Sequence, residues 1–90
     1  MIHELKKLKI SSSFVIPILD GSKTFEIREN DRGFQKGDRV QFNVVSDDWT
    51  CQNSSIVREL EHRVFEITYV INGWGLKNGF VVFGISEVKE

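Results

Sequence analysis

Short stretches in which apolar and polar residues alternate, separated by glycine-containing turns, run through most of this chain. In residues 23–29 the apolar Phe25 and Ile27 alternate with Glu26 and Arg28. A period of two is typical of a half-buried β-strand, because successive side chains of a strand point to opposite faces. The pattern predicts that Phe25 and Ile27 face the core and that an acid and a base lie side by side on the other face.

The same alternation predicts two more strands, over residues 39–45 and 63–71. Their predicted core faces are Val40, Phe42 and Val44 in the first strand and Phe65, Ile67, Tyr69 and Ile71 in the second. Residues 80–85 form a continuous apolar run, which is expected of a central strand. Between these strands, residues 36–38 and 72–75 contain the glycine turns that reverse a chain.

The N-terminal segment is less clear, because residues 2–10 have apolar spacings of both three and two. The pattern favours a strand over a helix by a small margin. Three serines at 11–13 then offer hydroxyl caps for a short helix over residues 14–19, which Pro17 restricts in length. Residues 46–55 are polar and aperiodic, which predicts a loop, and from Ile56 onward the composition again favours strands.

These elements predict one domain over residues 1–90, since a second core would leave each half too small to fold alone. The expected class is α+β and mostly β, with five to six strands and one or two short helices. No βαβ unit or repeat is present. A small barrel of mixed or antiparallel strands, closed or nearly closed, would bury so many short strands.

The charge balance excludes functions that need a strong overall field. Twelve basic and thirteen acidic residues give a net charge of −1, so any nucleic-acid contact must depend on a local patch. Basic residues are dense in two places, which are Lys6, Lys7 and Lys9, and then Lys23, Arg28, Arg32, Lys36 and Arg39. A basic face is therefore possible despite the total charge.

The remaining composition predicts a cytoplasmic protein without a metal or cofactor. The single Cys51 cannot form an intrachain disulfide, and no segment approaches the ~20 apolar residues of a membrane span. No signal sequence is recognisable, and no membrane association is expected. His3 and His62 have no further ligand residue at metal-site spacing, and Cys51 has no histidine nearby in sequence, which favours an incidental role.

The segment Gly-Ser-Lys-Thr-Phe-Glu-Ile-Arg, residues 21–28, resembles the Gly-x-Lys-x-x-Glu-x-Arg signature of ASCH domains, which belong to the PUA-like superfamily. Further similarity is found at residues 3–6, Phe14, residues 30–32, Phe34, residues 37–38 and residues 75–85. Together these positions are similar to a small uncharacterised branch that is common in phage and prophage genomes. The resemblance covers nearly the whole chain except residues 46–55.

The resemblance implies a PUA-like barrel with a helix near a cleft, and RNA or a nucleotide as partner. Its signature places Lys23, Glu26 and Arg28 in the ligand-binding site, and Arg32 would add charge to the same cleft. His3 belongs to the N-terminal part of the resemblance and is a further candidate. Trp74, between two glycines, is the first candidate for stacking on a base, and Trp49 is the second.

An enzymatic alternative follows from the same resemblance. Some ASCH relatives are amidohydrolases acting on acetylated cytidine, with the signature lysine, a threonine nucleophile two positions before the signature arginine, and a remote glutamate; others are ribonucleases. In this chain Glu26 occupies the nucleophile position, which disfavours the threonine mechanism. If the protein is a hydrolase acting on a modified nucleoside or on RNA, the candidate catalytic residues are Lys23, Glu26 and Thr24.

Several of these candidate residues also have a purely structural interpretation. Glu26 and Arg28 are also compatible with a surface ion pair that stabilises by at most about 1 kcal/mol. Asn30 and Asp31 are typical turn residues that bind their own backbone. Lys6, Lys7 and Lys9 are most simply interpreted as a solvated strand edge that discourages sheet-to-sheet association, with phosphate contact as the less favoured alternative. The sequence does not fix the ligand or the oligomeric state.

Overall fold

The computed structural model describes residues 5–45 and 54–89, and in Ser54 only the backbone. In chain order the elements are β1 (Leu5–Ser11), a short 3-10 helix (Ser12–Phe14), α1 (Val15–Leu19), β2 (Phe25–Glu29), β3 (Arg39–Val45), α2 (Ser54–Glu61), β4 (Phe65–Asn72) and β5 (Phe80–Glu87). Five strands and two short α-helices confirm the predicted α+β, mostly β class. Within the described ranges, no helix has the length and apolar character needed to cross a membrane.

The five strands form one mixed sheet in the order β1-β3-β4-β5-β2. Strands β1 and β3 are parallel, and the other neighbouring pairs are antiparallel. The predicted barrel is not closed, because β1 and β2 remain the two edges of the sheet. Arginine side chains connect these edges instead: Arg28 Nη2 donates to the Lys9 carbonyl at 2.7 Å, and Arg32 Nη2 to the Lys7 carbonyl at 3.2 Å. Because a side chain between two strands needs more room than the 4.7–4.9 Å spacing of a backbone ladder, β1 and β2 are too far apart to pair directly.

The core lies on the concave side of the sheet, under the two helices. Its buried apolar residues are Leu8, Ile10, Val15, Ile18, Phe34, Val40, Phe42, Leu60, Phe65, Ile67, Val81, Phe83 and Ile85. The predicted core face of β3 is confirmed, since Val40 and Phe42 are fully buried and Val44 packs against the cluster. A serine caps the 3-10 helix, since the Ser11 hydroxyl accepts from the Ser13 amide at 3.2 Å. The predicted serine cap of the following helix is wrong, because α1 begins after Phe14 without a side-chain cap.

A β-bulge in β4 overturns part of the predicted core. Ile67 is opposite Ile85 and Tyr69 is opposite Gly84, so Thr68 is an additional residue in β4. An extra residue moves the side chains that follow it to the other face of the strand. The expectation that Tyr69 faces the core is therefore wrong: Tyr69 is 65% exposed, and Val70 packs against the core.

Helix α2 replaces the predicted loop and strand after residue 53. Its apolar residues Ile56 and Leu60 are four positions apart and lie on the core side, with Leu60 fully buried. The carboxylate of Glu61 accepts from the Val44 amide at 2.9 Å, and the Glu61 carbonyl accepts from Gln41 Nε2 at 2.8 Å. These two hydrogen bonds hold α2 against β3. They join residues far apart in sequence, so the local apolar pattern of α2 does not predict them.

A buried ion pair joins the start of β1 to the turn before β3. Lys6 Nζ lies 2.8 Å from Asp38 Oδ2, and the two side chains are 7% and 6% exposed. The same carboxylate oxygen accepts from the Gln35 amide at 3.0 Å. The prediction that Lys6 belongs to a solvated edge is therefore wrong, whereas Lys7 and Lys9 are exposed. Asp38 has a structural role, as predicted for this turn.

We expect Lys6→Ala to lower the free energy of unfolding by about 3 kcal/mol or more, because it removes the ammonium group from the buried ion pair with Asp38. The matched control is Lys7→Ala, since Lys7 is the adjacent exposed lysine on the same strand. Its effect should stay within about 0.5 kcal/mol. Urea denaturation followed by circular dichroism measures both variants. Equal effects of the two substitutions would contradict the structural role of the Lys6–Asp38 pair.

Candidate functional site

The burial of β2 is the reverse of the pattern expected from its sequence. Glu26 is 4% exposed, whereas Phe25 and Ile27 are 43% and 57% exposed. The prediction that Phe25 and Ile27 face the core is wrong. Strand β2 is an edge strand that pairs only with β5 among the described strands, and its inner side meets cationic side chains that can accompany a buried carboxylate. Alternation alone identifies two faces but not which one is covered.

Lys23, Glu26 and Arg28 converge into one hydrogen-bonded group, which we call the triad. Lys23 Nζ contacts Glu26 Oε2 and also donates to the Phe25 carbonyl at 2.8 Å. From the other side, Arg28 donates to Glu26 Oε1 from Nε at 3.1 Å and from Nη2 at 3.0 Å. The side chains of Lys23, Glu26 and Arg28 are 15%, 5% and 22% exposed. The interpretation as an ordinary surface ion pair is therefore wrong.

The turn after α1 places Lys23 at the triad. The Asp20 carboxylate accepts from the Ser22 amide at 2.8 Å, and the Lys23 amide donates to the Pro17 carbonyl at 2.9 Å. Hydrogen bonding from Ser22 lowers the pKa of Asp20 below its usual value, so this exposed carboxylate favours the turn at neutral pH and loses that contribution only in acid. The Lys23 ammonium lies 4.7 Å from the ring centre of Phe14 and 5.2 Å from that of Phe25.

The triad leaves little freedom for acid–base chemistry. Both oxygens of Glu26 are occupied by Lys23 and Arg28, so a proton transfer at Glu26 would first have to break one of these contacts. Thr24 is exposed, and its hydroxyl makes no hydrogen bond to any residue that the structure describes. The arrangement therefore suits a fixed charged framework better than an active carboxylate.

A groove lies along the open seam between β1 and β2, and we call it the seam cleft. Its volume is about 350 Å³, and it is lined by Lys7, Leu8, Lys9, Arg28, Glu29, Asp31, Arg32, Phe34 and Asn43. Four of these residues are basic and two are acidic, so the cleft carries net positive charge in a chain of net charge −1. Of the four residues that the sequence places in one cleft, Arg28 and Arg32 line the seam cleft, whereas Lys23 and Glu26 do not. Arg28 therefore belongs both to the triad and to the cleft.

Two basic residues of the cleft, Lys7 and Lys9, lay outside the predicted site. Lys7 and Lys9 occupy the exposed face of β1, opposite Gln41 and Asn43 of β3. The signal in the sequence was the alternation of these lysines with buried Leu8, which marks one charged strand face. Nothing in the sequence indicated that this face of β1 would meet Arg28, because the contact depends on how the sheet curves.

The structure does not bring Trp74 to the triad or the seam cleft. Trp74 lies in the β4–β5 loop, is 91% exposed, and has a φ of +50° between two glycines that also have positive φ. Other residues of this loop line a second cavity of about 410 Å³ together with Asn30. Asn30 stabilises its own turn, since its side-chain oxygen accepts from the Phe34 amide at 3.1 Å, as its turn interpretation predicted.

His3, Trp49 and Cys51 lie outside the described residues. His62 is exposed next to the end of α2. Across residues 5–45 and 54–89, no group of three histidine, cysteine, aspartate or glutamate side chains is arranged to hold a metal ion.

Comparison with known proteins assigns the chain to a family without a described activity. The family model of the Domain of unknown function (DUF3850) matches residues 2–85, so the chain belongs to this family. No curated protein matches the chain.

We expect Glu26→Gln to lower the free energy of unfolding by about 3 kcal/mol, because the neutral amide leaves two partly buried cations without a carboxylate. Glu59→Gln is the matched control: Glu59 also accepts from an arginine, Arg63, at 2.7 Å, but its side chain is 55% exposed. Its loss should cost at most about 0.5 kcal/mol. Thermal and urea unfolding measure both effects. A Glu26 variant as stable as the Glu59 variant would show that the triad does not stabilise the fold.

Proposed function

We propose that this member of the DUF3850 family binds single-stranded RNA or a nucleotide in the seam cleft. The supporting observation is the concentration of Lys7, Lys9, Arg28 and Arg32 around one cavity of about 350 Å³, in a protein without an overall positive charge. A cavity of this size falls in the range of small-ligand sites. Phosphates are the anions for which paired arginines and lysines are best suited.

The cations of the cleft have different degrees of freedom. Lys7, Lys9 and Arg32 are exposed and can follow a flexible phosphate backbone. Arg28 is fixed by its hydrogen bonds to Glu26 and to the Lys9 carbonyl. The remaining N–H groups of its planar guanidinium therefore have a defined orientation. Arg28 thus supplies a preorganised contact, with Lys23 and Glu26 as the residues that position it. Preorganisation lowers the entropic cost of binding.

The polar and apolar residues of the cleft fit the same ligand class. Asn43 offers an amide that can donate to and accept from a base edge, and Leu8 and Phe34 provide apolar surface beside it. A nucleotide presents both kinds of group, a phosphate and a base. An anion without a base would use only the cations.

We further propose that the domain is related to ASCH domains. Support comes from the signature residues Lys23, Glu26 and Arg28, which are adjacent in space as well as in sequence pattern. The leaning of that superfamily toward RNA and nucleotides agrees with the charge of the cleft. The sequence similarity at His3 concerns a residue outside the described part of the chain.

A hydrolase acting on acetylated cytidine or on RNA is the alternative, with Lys23, Glu26 and Thr24 as its candidate residues. The contact between Lys23 and Glu26 is the observation in its favour, since a lysine beside a carboxylate can move a proton. Against it stands the second partner of Glu26, Arg28. Incubation with acetylcytidine and with RNA, followed by chromatography of the products, tests the alternative. Turnover that disappears in a Glu26→Gln variant shown by circular dichroism to be folded would replace the binding proposal.

We expect Arg32→Ala to weaken the binding of a short fluorescein-labelled single-stranded RNA and to reduce its salt dependence. Removing one phosphate contact should lower the slope of log K against log salt by about 0.7. Fluorescence anisotropy at several salt concentrations measures both quantities. Arg32 suits this test because it is exposed and contacts only a backbone carbonyl among the described residues.

The matched control is Arg58→Ala, which removes the same charge from an exposed position on α2, outside the cleft. Its affinity and salt slope should equal those of the original protein. Equal losses in both variants would mean that binding follows total charge and not the seam cleft. Absence of binding of both RNA and mononucleotides to the original protein would refute the proposed function.

A further inference from the structure

The reversed burial of β2 leaves an apolar surface on the outside of the sheet. Across β2, β5 and β4, one row of opposite residues is Phe25, Gly84 and Tyr69. The next row is Ile27, Val82 and Ile71. Two cross-strand rows thus lie next to each other on strands β2, β5 and β4. We call this surface, formed by Phe25, Ile27, Tyr69, Ile71 and Val82, the outer platform.

The largest side chains of the outer platform are exposed to solvent, so they do not contribute to the core. Phe25 is 43% exposed, Ile27 57% and Tyr69 65%. A domain of 90 residues needs most of its large apolar side chains in the core, so few of them are expected on the surface. A contiguous exposed apolar surface marks an interaction site more reliably than scattered apolar residues do.

Gly84 separates the two aromatic residues of the platform. Since Gly84 has no side chain, the backbones of Phe25 and Tyr69 are two strand spacings apart, about 10 Å, with no side chain of β5 between them. The hydroxyl of Thr68 lies in this position, 2.6 Å from where a Cβ of residue 84 would be. The β4 bulge therefore places a hydrogen-bonding group between two exposed rings.

We propose that the outer platform stacks the bases of the single strand whose phosphates occupy the seam cleft. This inference rests on the proposed function and adds the surface that holds the bases. Exposed aromatic residues on a sheet are well suited to stacking on unpaired bases. The Thr68 hydroxyl can donate to or accept from a base edge or a ribose hydroxyl.

Strand β2 connects the two surfaces. Its Arg28 side chain lines the seam cleft, and its Phe25 and Ile27 side chains belong to the outer platform. Phe25 and Arg28 are three residues apart in an extended strand, which corresponds to about 10 Å. A nucleic-acid strand crossing β2 can therefore have phosphates beside Arg28 and bases over Phe25. The Lys23 ammonium, 5.2 Å from the Phe25 ring centre, adds positive charge at this edge.

Two other occupants fit the surface less well. Given their exposed fractions, the three most exposed platform residues, Phe25, Ile27 and Tyr69, together offer on the order of 300 Å² of surface. A stable interface between two copies needs about 800 Å² on each. Addition of a peptide strand to the outer edge of β2 is obstructed, because Arg28 of β2 and Arg32 of the loop after it both donate to carbonyls of β1.

The experiment compares two probes that differ only in their bases: a short uridine oligoribonucleotide and an abasic ribose-phosphate oligomer of the same length. Anisotropy at low salt should show tighter binding of the uridine oligomer. We expect Tyr69→Leu to weaken uridine binding about fivefold or more, which is the effect of losing one stacked base, and to leave abasic binding unchanged. Phe25→Leu should act in the same direction.

Two controls separate stacking from general apolar loss. Tyr69→Phe keeps the ring and should keep the affinity. Ile16→Ala removes an apolar side chain that is 51% exposed on α1, away from the platform, and should bind both probes as the original protein does. A 2-aminopurine base placed in the oligomer should be quenched on binding, and less so in Tyr69→Leu. Thermal unfolding verifies that each variant is folded.

The outcomes distinguish the two proposals. Equal binding of the uridine and abasic oligomers, still sensitive to Arg32→Ala, would overturn the platform and leave the seam cleft. Binding of neither oligomer, nor of mononucleotides, would refute both. A concentration-dependent dimer in analytical ultracentrifugation that Tyr69→Leu dissociates would assign the platform to self-association instead.

Discussion

The buried carboxylate of Glu26, between Lys23 and Arg28, is the interaction on which the architecture of the site depends. A carboxylate that is 5% exposed is tolerated only when cations and hydrogen bonds replace its water. Lys23 reaches it from the turn after α1, and Arg28 reaches it along β2. Because Arg28 also donates to the Lys9 carbonyl of β1, the same group joins the two edges of the sheet. Fold and candidate site therefore share one hydrogen-bonded network.

This network accounts for two features that are otherwise separate. The sheet stays open at the seam because arginine side chains, rather than a backbone ladder, connect β1 to β2. The apolar residues of β2 face outward because the inward face is occupied by Glu26 and Arg28. The first feature creates the basic seam cleft, and the second creates the outer platform. In our proposals one edge strand serves a single-stranded ligand from both faces, with phosphates on one side and bases on the other.

Much of the fold was predictable from local pattern. The β3 strand, its core face and the positions of β2 and β5 follow from alternation and from turn residues. Helix α2 was missed because it is only eight residues long, although Ile56 and Leu60 have the four-residue spacing of a helix. The outward turn of Tyr69 was missed because a bulge of one residue leaves no clear mark in the sequence. For α2 and for the β4 bulge, contacts between residues far apart in sequence decided the structure, and the local pattern alone did not predict it.

By itself, the sequence determined the α+β class, the strands on which the charged residues lie, and the grouping of Lys23, Glu26 and Arg28 as the candidate site. The class and the strand positions depend on period and spacing, which are local, whereas the grouping of the three residues comes from their resemblance to a family signature. The tertiary structure alone decided which face of β2 is buried, that Lys6 is paired with Asp38, and that Lys7 and Lys9 border the same cleft as Arg28 and Arg32. Those outcomes depend on which strands become edges and on how the sheet curves. A pattern of alternation is unchanged when its two faces are exchanged, so only the packing of the whole chain can choose between them.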